Sequence, residues 1–234
     1  MVVNGVPAEL AAELGLRLAG ELKPAVRVPL KASRHILPVT PDISALLPYG
    51  GLATVTTLMA SRVGATSLLW RLLAGPTQAG VWCAVVGLPH RYPLAARAAG
   101  VDLERLALIE ADGPRIADAA GALVGGVAVL VVPSEAFGMQ QTRRLTARAR
   151  KGGTSLVWWE TRPVPGADAR LEVARARWKG LRENAGRRYG AGRLDACELD
   201  VAARWRTGGD HRARIWPYGG QTPDNVIDLR GGRP

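Results

Sequence analysis

Apolar positions recur at two different spacings along this chain, and the spacing changes near residue 51. Residues 7–23, PAELAAELGLRLAGELK, place leucines at four-residue steps behind a proline suited to the first position of a helix. The pattern predicts an amphipathic helix whose apolar stripe consists of Leu10, Leu14, Leu18 and Leu22. Five prolines within residues 24–48 then exclude a long regular element, so this stretch is interpreted as a linker ending in a short helix.

From residue 51, short apolar runs alternate with helical patterns. The runs LATVTTLMA, GVWCAVVGL, RLALIEA, VAVLVV and TSLVWWE are typical of strands. Helices are predicted between them, including one closed by Gly75 and one capped by Ser134. Continuous apolar runs indicate strands buried on both faces, as in a mostly parallel sheet covered by helices. Trp158 and Trp159 are adjacent, so they point to opposite faces, and one of them is expected in the core.

After Thr161 the pattern changes to approximate alternation of apolar and polar residues. ARLEVARARWKGL and RLDACELDVAARW predict antiparallel strands that extend the sheet on its C-terminal side. The last residues are rich in glycine, proline and charge, so an unpacked tail is expected from about Thr207. The predicted organisation is a helix and linker over 1–44, an α/β core domain over 45–206 and a basic flexible tail over 207–234.

Composition narrows the class of protein. The 234 residues are 47% hydrophobic, which suits one α/β domain with appended segments, and no run is long enough for a membrane span. The N-terminus lacks the pattern of a secretory signal. Cys83 and Cys197 have no metal-binding spacing and leave His35, His90 and His211 without a ligand cluster. We expect a cytoplasmic protein without a metal.

The formal charge of +11 lies in the C-terminal part of the chain. Residues 1–140 carry 11 Lys/Arg against 10 Asp/Glu, whereas residues 141–234 carry 20 against 10. A basic half favours acidic partners, either nucleic acid or an acidic protein. An arginine-rich solvated surface without a partner fits the composition equally well.

The segment MASRVGATSLLW, residues 59–70, is close to a phosphate-binding loop. That motif needs glycine, four residues, then Gly-Lys-Ser/Thr, and alignment on Gly64 puts Met59 at the first glycine and Ala65 at the lysine. Only Gly64 and Thr66 fit the motif. Arg62 is a candidate substitute for the missing cation.

The order of these elements resembles the RecA core. YPLAARAAGVDLERLALIEAD follows the second core strand as in that fold, and LLPYGGL is similar to the entry to the core. A RecA-like core without a working phosphate loop, preceded by a leucine-bearing helix and followed by a basic tail, resembles the ImuA family, particularly its ImuA-prime type. The resemblance implies a RecA-like sheet and an accessory role in SOS-induced mutagenesis.

In RecA-like ATPases the strand ends also supply carboxylates for Mg²⁺ and for activating water. Here Pro133 stands at the magnesium position, with Glu135 two residues further on, and VVGLPHRY offers only His90 as a base. A proline cannot bind a metal. We therefore expect no ATPase activity and no nucleotide cofactor, and Thr66 is then a structural residue at the start of a helix.

The resemblance implies a set of partners. These are ImuB, an inactive Y-family polymerase homologue, an error-prone replicative-type DNA polymerase reached through the complex, and also RecA, with the protein nucleoid-associated in that state. The leucine-bearing helix is predicted to dock on RecA. Two alternatives stay open: a SulA-like cell-division inhibitor that binds FtsZ, and an ATP-binding recombinase paralogue.

The basic C-terminal segment is the predicted ImuB-binding element. Aromatic and arginine side chains are typical of interface hot spots, and the same mixture contacts single-stranded nucleic acid through stacking and phosphate binding. Packing of the tryptophans onto the protein's own core is the third interpretation. The residues concerned are Arg204, Trp205, Arg206, Arg212, Arg214 and Trp216.

Overall fold

The computed structural model describes residues 2–3, 17–18, 36–52, 54–88, 92–179 and 196–219. The strands are β1 (Val2–Val3), β2 (Arg17–Leu18), β3 (Val55–Met59), β4 (Cys83–Val86), β5 (Leu106–Ile109), β6 (Val129–Pro133), β7 (Ser155–Glu160), β8 (Ala169–Lys179), β9 (Ala196–Trp205) and β10 (Asp210–Ile215). The α-helices are α1 (Pro41–Ser44), α2 (Ala65–Gln78), α3 (Pro93–Ala98), α4 (Pro114–Leu123) and α5 (Met139–Gly152). Three short 3-10 helices cover Pro48–Gly50, Leu103–Arg105 and Ser134–Ala136.

The described strands form one mixed sheet in the order β10-β9-β8-β3-β7-β6-β4-β5-β1-β2. The strands from β8 to β5 are parallel, and β9 and β10 add antiparallel pairs beyond β8. This confirms the predicted α/β class, with a mostly parallel sheet, antiparallel strands at its C-terminal side and helices over it.

Both faces of the central strands are covered. On one face Val131, Val157 and Trp159 pack with α2, and on the other Leu130 and Trp158 pack with α4 and α5. Both tryptophans are therefore buried, in different layers, so the structure contains the expected core tryptophan and a second one. Phe137 contacts Trp158 edge-on at a ring distance of 5.2 Å.

Two predicted helix boundaries were wrong. Helix α2 continues through Gly75 and ends at Gln78. A Cβ at Gly75 would lie 2.5 Å from the Val39 Cα atom, so this glycine allows the segment before α1 to approach the helix rather than ending it. Helix α5 begins at Met139, not at Ser134. The Ser134 hydroxyl instead accepts hydrogen bonds from the amides of Thr161 and Arg162, at 3.0 and 2.9 Å.

The predicted ends of the chain also differ from the structure. Most of residues 7–23 lie outside the described residues, including Leu10, Leu14 and Leu22, but Arg17–Leu18 is a strand that pairs with Val2–Val3 and not a helix. The tail predicted from residue 207 is wrong as far as residue 219, because Asp210–Ile215 pairs along its whole length with β9. Apolar and charged residues alternate along β10, which suits a strand: Ala213 and Ile215 face the core while Arg212 and Arg214 face outward. Residues 220–234 lie outside the described residues.

Candidate functional site

The degenerate phosphate loop joins the carboxyl end of β3 to the start of α2, as the sequence predicted. The Ala60 amide donates to the Glu160 carbonyl at 2.9 Å and the Ala65 amide to the Arg62 carbonyl at 3.1 Å. Gly64, the residue before α2, has φ +88°, a left-handed conformation that glycine adopts at little cost. The loop therefore keeps the strand–loop–helix connection of a phosphate-binding site.

Side chains of the C-terminal strands fill the space beside Gly64. A Cβ added to this glycine would lie 2.7 Å from Leu199 Cδ2, 3.4 Å from Ala176 Cβ and 3.6 Å from Val173 Cγ1. Val173 and Ala176 belong to β8 and Leu199 to β9, and all three face the α2 side of the sheet. The start of α2 thus meets apolar side chains of its own chain.

The segment after β10 adds a polar contact to the same region. The hydroxyls of Ser67, in the first turn of α2, and Tyr218 are hydrogen-bonded at 2.7 Å. Burial raises the pKa of Tyr218 above its ordinary value, and the bond to Ser67 offsets part of that effect. Trp178 of β8 lies beside the Tyr218 ring, 6.3 Å between centroids. Strands β8–β10 and the residues after them therefore pack against both the loop and the first turn of α2.

Arg62, the candidate substitute for the loop lysine, is paired with a carboxylate. Its Nη2 lies 2.6 Å from Glu172 Oε1, and its Nε donates to the same oxygen at 2.8 Å. Both side chains are partly exposed, so the pair contributes at most about 1 kcal/mol to folding. At the lysine position itself, Ala65 is buried and carries no charge. The loop does not fit a magnesium-bound nucleotide, because it lacks the lysine that binds the β- and γ-phosphates.

The neighbouring strand ends supply few groups for phosphoryl transfer. Pro133 is buried at the end of β6, and the exposed Glu135 accepts a hydrogen bond from the Thr161 hydroxyl. His90 lies outside the described residues. Sequence reasoning missed Glu160, although its position directly after the apolar run of β7 was a signal.

Glu160 connects β7 to the start of β8. Its side chain is only 6% exposed, and its Oε1 lies 2.8 Å from Arg170 Nη2 and accepts from the Val164 amide at 3.2 Å. Its Oε2 is buried without a hydrogen-bond partner among the described residues. This carboxylate fixes the connection between two parallel strands.

The predicted ImuB-binding residues separate onto two faces. Trp205 packs into its own domain: its Nε1 donates to the Leu46 carbonyl at 2.9 Å and its ring stacks on His211 at 3.6 Å. Trp216 is half-buried. For Trp205 the structure agrees with the third interpretation, packing onto the protein's own core, because its strand turns this side chain inward.

The four arginines of that predicted set are exposed. Arg204 pairs with Asp210 at 3.3 Å and Arg206 with Asp168 at 3.3 Å. Arg214 donates to Asp200 at 3.0 Å, which lowers the pKa of that carboxyl and raises that of the guanidinium. Arg212 makes no ion pair with the described residues.

Exposed large apolar side chains collect at the carboxyl edge of the parallel strands. Of the seven such residues described, two, Ile36 and Tyr49, precede β3. The other five follow or end parallel strands and therefore lie at the edge that carries the loop: Val63, Tyr92, Leu94, Met139 and Trp178. An apolar edge of this kind is typical of a docking surface.

Among the described helices, none has the length and apolar content needed to cross a membrane.

Comparison with known proteins adds a relative in Mycobacterium tuberculosis (strain ATCC 25618 / H37Rv), the uncharacterized protein Rv3395c. The two chains are 34% identical over 114 residues, which is 48% of this chain and 56% of that protein. The match thus spans little more than half the length of the relative.

The crystal structure of SulA from Pseudomonas aeruginosa resembles part of the fold. The match covers 44% of this chain and 94% of SulA, at 20% identity and a TM-score of 0.40. We infer no function from that likeness.

Residues 45–166, just over half of the chain, match the family described as MT3502 N-terminal domain. They run from the entry to β3 through the loop after β7, and the chain therefore belongs to the MT3502 N-terminal domain family.

Proposed function

We propose that the protein is a non-catalytic adaptor of a DNA-damage-induced translesion synthesis complex. In this proposal it docks ImuB, reaches an error-prone polymerase through ImuB, and also contacts RecA, in the cytoplasm and at the nucleoid. The resemblance to the ImuA family supports the choice of partners. The observation that carries the proposal is that Leu199, Ala176 and Val173 occupy the space beside Gly64, where a Cβ would lie.

This packing favours an adaptor over an ATPase for a physical reason. A phosphate-binding loop works by offering backbone amides and a lysine to the phosphates at the start of a helix. Here apolar side chains stand beside Gly64, and Ala65 replaces the lysine. A fold that keeps the loop connection but fills the space around it retains the loop for packing.

The exposed apolar edge is the surface that we assign to ImuB. Val63 is 73% exposed on the loop after β3, and Leu94 is 61% exposed in helix α3, which follows β4. Large apolar side chains at a rigid edge gain free energy when a partner removes them from water, by about 25 cal/mol for each Å² of apolar surface. The edge is held by buried strands, so docking requires little ordering of the protein.

Co-purification of the full chain with ImuB, RecA and FtsZ tests the proposal. We expect ImuB to be recovered, and Val63→Asp and Leu94→Asp to reduce its recovery without changing the melting temperature. The control is Tyr49→Asn, which removes a side chain 67% exposed at the opposite edge. Tyr49 has φ +66°, a conformation that asparagine tolerates.

The outcomes separate the candidate functions. Recovery of FtsZ in place of ImuB would replace the adaptor by a SulA-like division inhibitor. Unchanged ImuB binding in both edge variants would move the docking surface elsewhere and leave the adaptor role intact. Saturable binding of ATP with Mg²⁺ would instead favour the recombinase paralogue.

A further inference from the structure

No described helix or strand packs on one face of strands β8–β10, and this face carries mainly charged residues. Inward positions such as Leu171, Val201 and Ile215 belong to the core. The outward positions on these strands carry seven basic residues, Arg170, Arg175, Arg177, Lys179, Arg204, Arg212 and Arg214. The same outward positions include four acidic residues, Glu172, Glu198, Asp200 and Asp210. We call this the arginine face.

A β-bulge keeps the arginines of β8 on the outward side. The register between β8 and β9 shifts between Val173 and Arg175. Side chains alternate along a strand, so without the extra residue Arg175 would share the inward side of Val173. With the shift, Ala176 faces inward beside Gly64, and Arg175 lies opposite Asp200 on the outward side. The fold therefore directs these cations to solvent.

The carboxylates neutralise only part of the arginine face. Arg177 contacts both Glu198 and Asp200, and Arg214 contacts the same two carboxylates. Within the part of the chain that the structure describes, Arg175, Lys179 and Arg212 form no ion pair. The two acidic side chains at the centre of the face are thus shared, while other cations stay available.

The arginine face continues onto helix α5. Arg170 lies in register with Thr57, which lies in register with Trp158, and Trp158 packs in the cluster that includes Leu145 of α5. Cross-strand neighbours share a face of the sheet. Helix α5 and the arginine face therefore lie on the same side of the molecule.

Asp168 joins the two regions. Its Oδ1 lies 3.9 Å from Arg150 Nη2 of α5 and 3.3 Å from Arg206 Nε at the end of β9. Helix α5 has no acidic residue, and its basic side chains are all exposed: Arg143, Arg144, Arg148, Arg150 and Lys151. The arginine face and α5 together form one basic surface.

We propose that this basic surface binds the phosphate backbone of a nucleic acid without reading its sequence. Its outward positions on β8–β10 that the structure describes are charged, apart from alanines at 196 and 202 and the bulge residue Ala174. A protein interface of useful affinity needs large apolar or aromatic anchors near its centre, and this face offers none. Phosphate binding needs only cations, and a guanidinium donates two parallel hydrogen bonds to a phosphate.

The spacing of the cations fits an extended anionic chain. Arg175, Arg177 and Lys179 follow one another at every second residue of β8, and Arg212 and Arg214 do so on β10. Second neighbours on a strand are about 6.7 Å apart, so successive cations contact successive charges of a linear polyanion. The inference goes beyond the adaptor role and does not depend on ImuB.

Fluorescence anisotropy with the isolated full chain tests the surface. The probes are labelled oligonucleotides of mixed sequence, as single-stranded DNA, duplex DNA and RNA, titrated at several salt concentrations. We expect the logarithm of the affinity to fall linearly with the logarithm of the salt concentration. The slope should be about 0.7 per phosphate contact on a single strand and about 0.9 on a duplex. The three probes show which nucleic acid is preferred.

Matched charge reversals locate the contact. Arg175→Glu and Arg212→Glu should each weaken binding by about tenfold. Each should also lower the slope of log affinity against log salt by the amount that corresponds to about one phosphate contact. The control Arg97→Glu changes the net charge equally from an exposed position on α3, which packs on the α2 side of the sheet. It should change affinity by less than about twofold, since it lies outside the basic surface.

Three results would overturn the proposal. These are no binding to any probe at low salt, equal losses in Arg97→Glu and Arg212→Glu, or polyglutamate displacing the oligonucleotides at equal charge concentration. The last result would assign the surface to an acidic protein. ImuB recovery is measured separately, so failure here leaves the adaptor proposal standing.

Discussion

The parallel strands and the C-terminal strands of this sheet are buried in different ways. Strands β3, β4, β6 and β7 lie between two helical layers, whereas the elements that the structure describes cover β8–β10 on one face. Strands β8–β10 therefore have two roles. Their inward face packs against the loop that precedes α2, and their outward face presents cations to solvent.

Removing a central tryptophan should produce the largest effect on stability. Trp158 is fully buried between helices, and Trp158→Ala should lower the free energy of unfolding by about 3–5 kcal/mol. Trp178 of β8 is 40% exposed, and Trp178→Ala should cost clearly less. Urea unfolding of both variants measures the contrast, and equal losses would show that β8 is as deeply packed as β7.

The contact between the C-terminal strands and the loop is tested at Gly64. Gly64→Ala imposes a left-handed conformation on alanine and places its Cβ against Leu199, so we expect a loss of about 2–4 kcal/mol. The matched control is Gly80→Ala, with φ +80° and nothing within 4 Å of the added Cβ. It should lose only the conformational part, about 1–2 kcal/mol. If both variants lose the same amount, Leu199 does not press on the loop.

The two free thiols, one in each region of the sheet, should make the stability of the fold depend on pH. Burial raises the pKa of Cys197 in β9 to about 11 and raises that of Cys83 in β4 further. In the unfolded chain both thiols ionise near pH 9, where the folded thiols stay protonated. Stability should therefore fall as pH rises above about 9, by up to about 1.4 kcal/mol per pH unit for each thiol.

Alanine variants separate the two thiols. Cys197→Ala should remove the share of the stability slope that ends near pH 11. Cys83→Ala should remove the share that continues to higher pH. Chemical unfolding from about pH 8 to about pH 12 measures the slopes below and above pH 11. An unchanged slope in Cys197→Ala would mean that the folded β9 thiol ionises as readily as the unfolded one.

The smallest expected effect is on nucleotide binding. A fluorescent ATP analogue with Mg²⁺ should show no saturable binding at micromolar protein. Ala65→Lys alone should not create hydrolysis, because the ends of β4 and β6 lack the expected carboxylates and Leu199 still lies beside Gly64. The change should destabilise the fold, since Ala65 is buried and a lysine there loses its hydration. Micromolar binding by the unchanged protein would contradict the adaptor proposal.

Much of the central sheet was predictable because its signals are local. Continuous apolar runs such as VAVLVV and TSLVWWE predicted buried strands, and β6 and β7 are found there. The alternation in β8 and β9 predicted antiparallel pairing. The loop was recognisable from Gly64 and Thr66, and the absence of its lysine was visible in the sequence.

The helix ends and the C-terminal strand depended on distant residues. Gly75 resembled a helix terminator, but the close approach of Val39 explains it. Asp210–Ile215 is short and rich in charge, and only its pairing with β9 makes it a strand. Glu160 was overlooked because its role depends on Arg170.

By itself, the sequence determined which residues form the buried strands and which groups of a phosphate-binding loop are missing. Both follow from residue type at one place in the chain, through hydrophobic burial and the chemistry of single side chains. The tertiary structure alone decided that Leu199 faces Gly64, that Trp205 turns inward and that Arg175 turns outward. Those outcomes depend on strand register, and a shift of one residue exchanges the two faces of a strand.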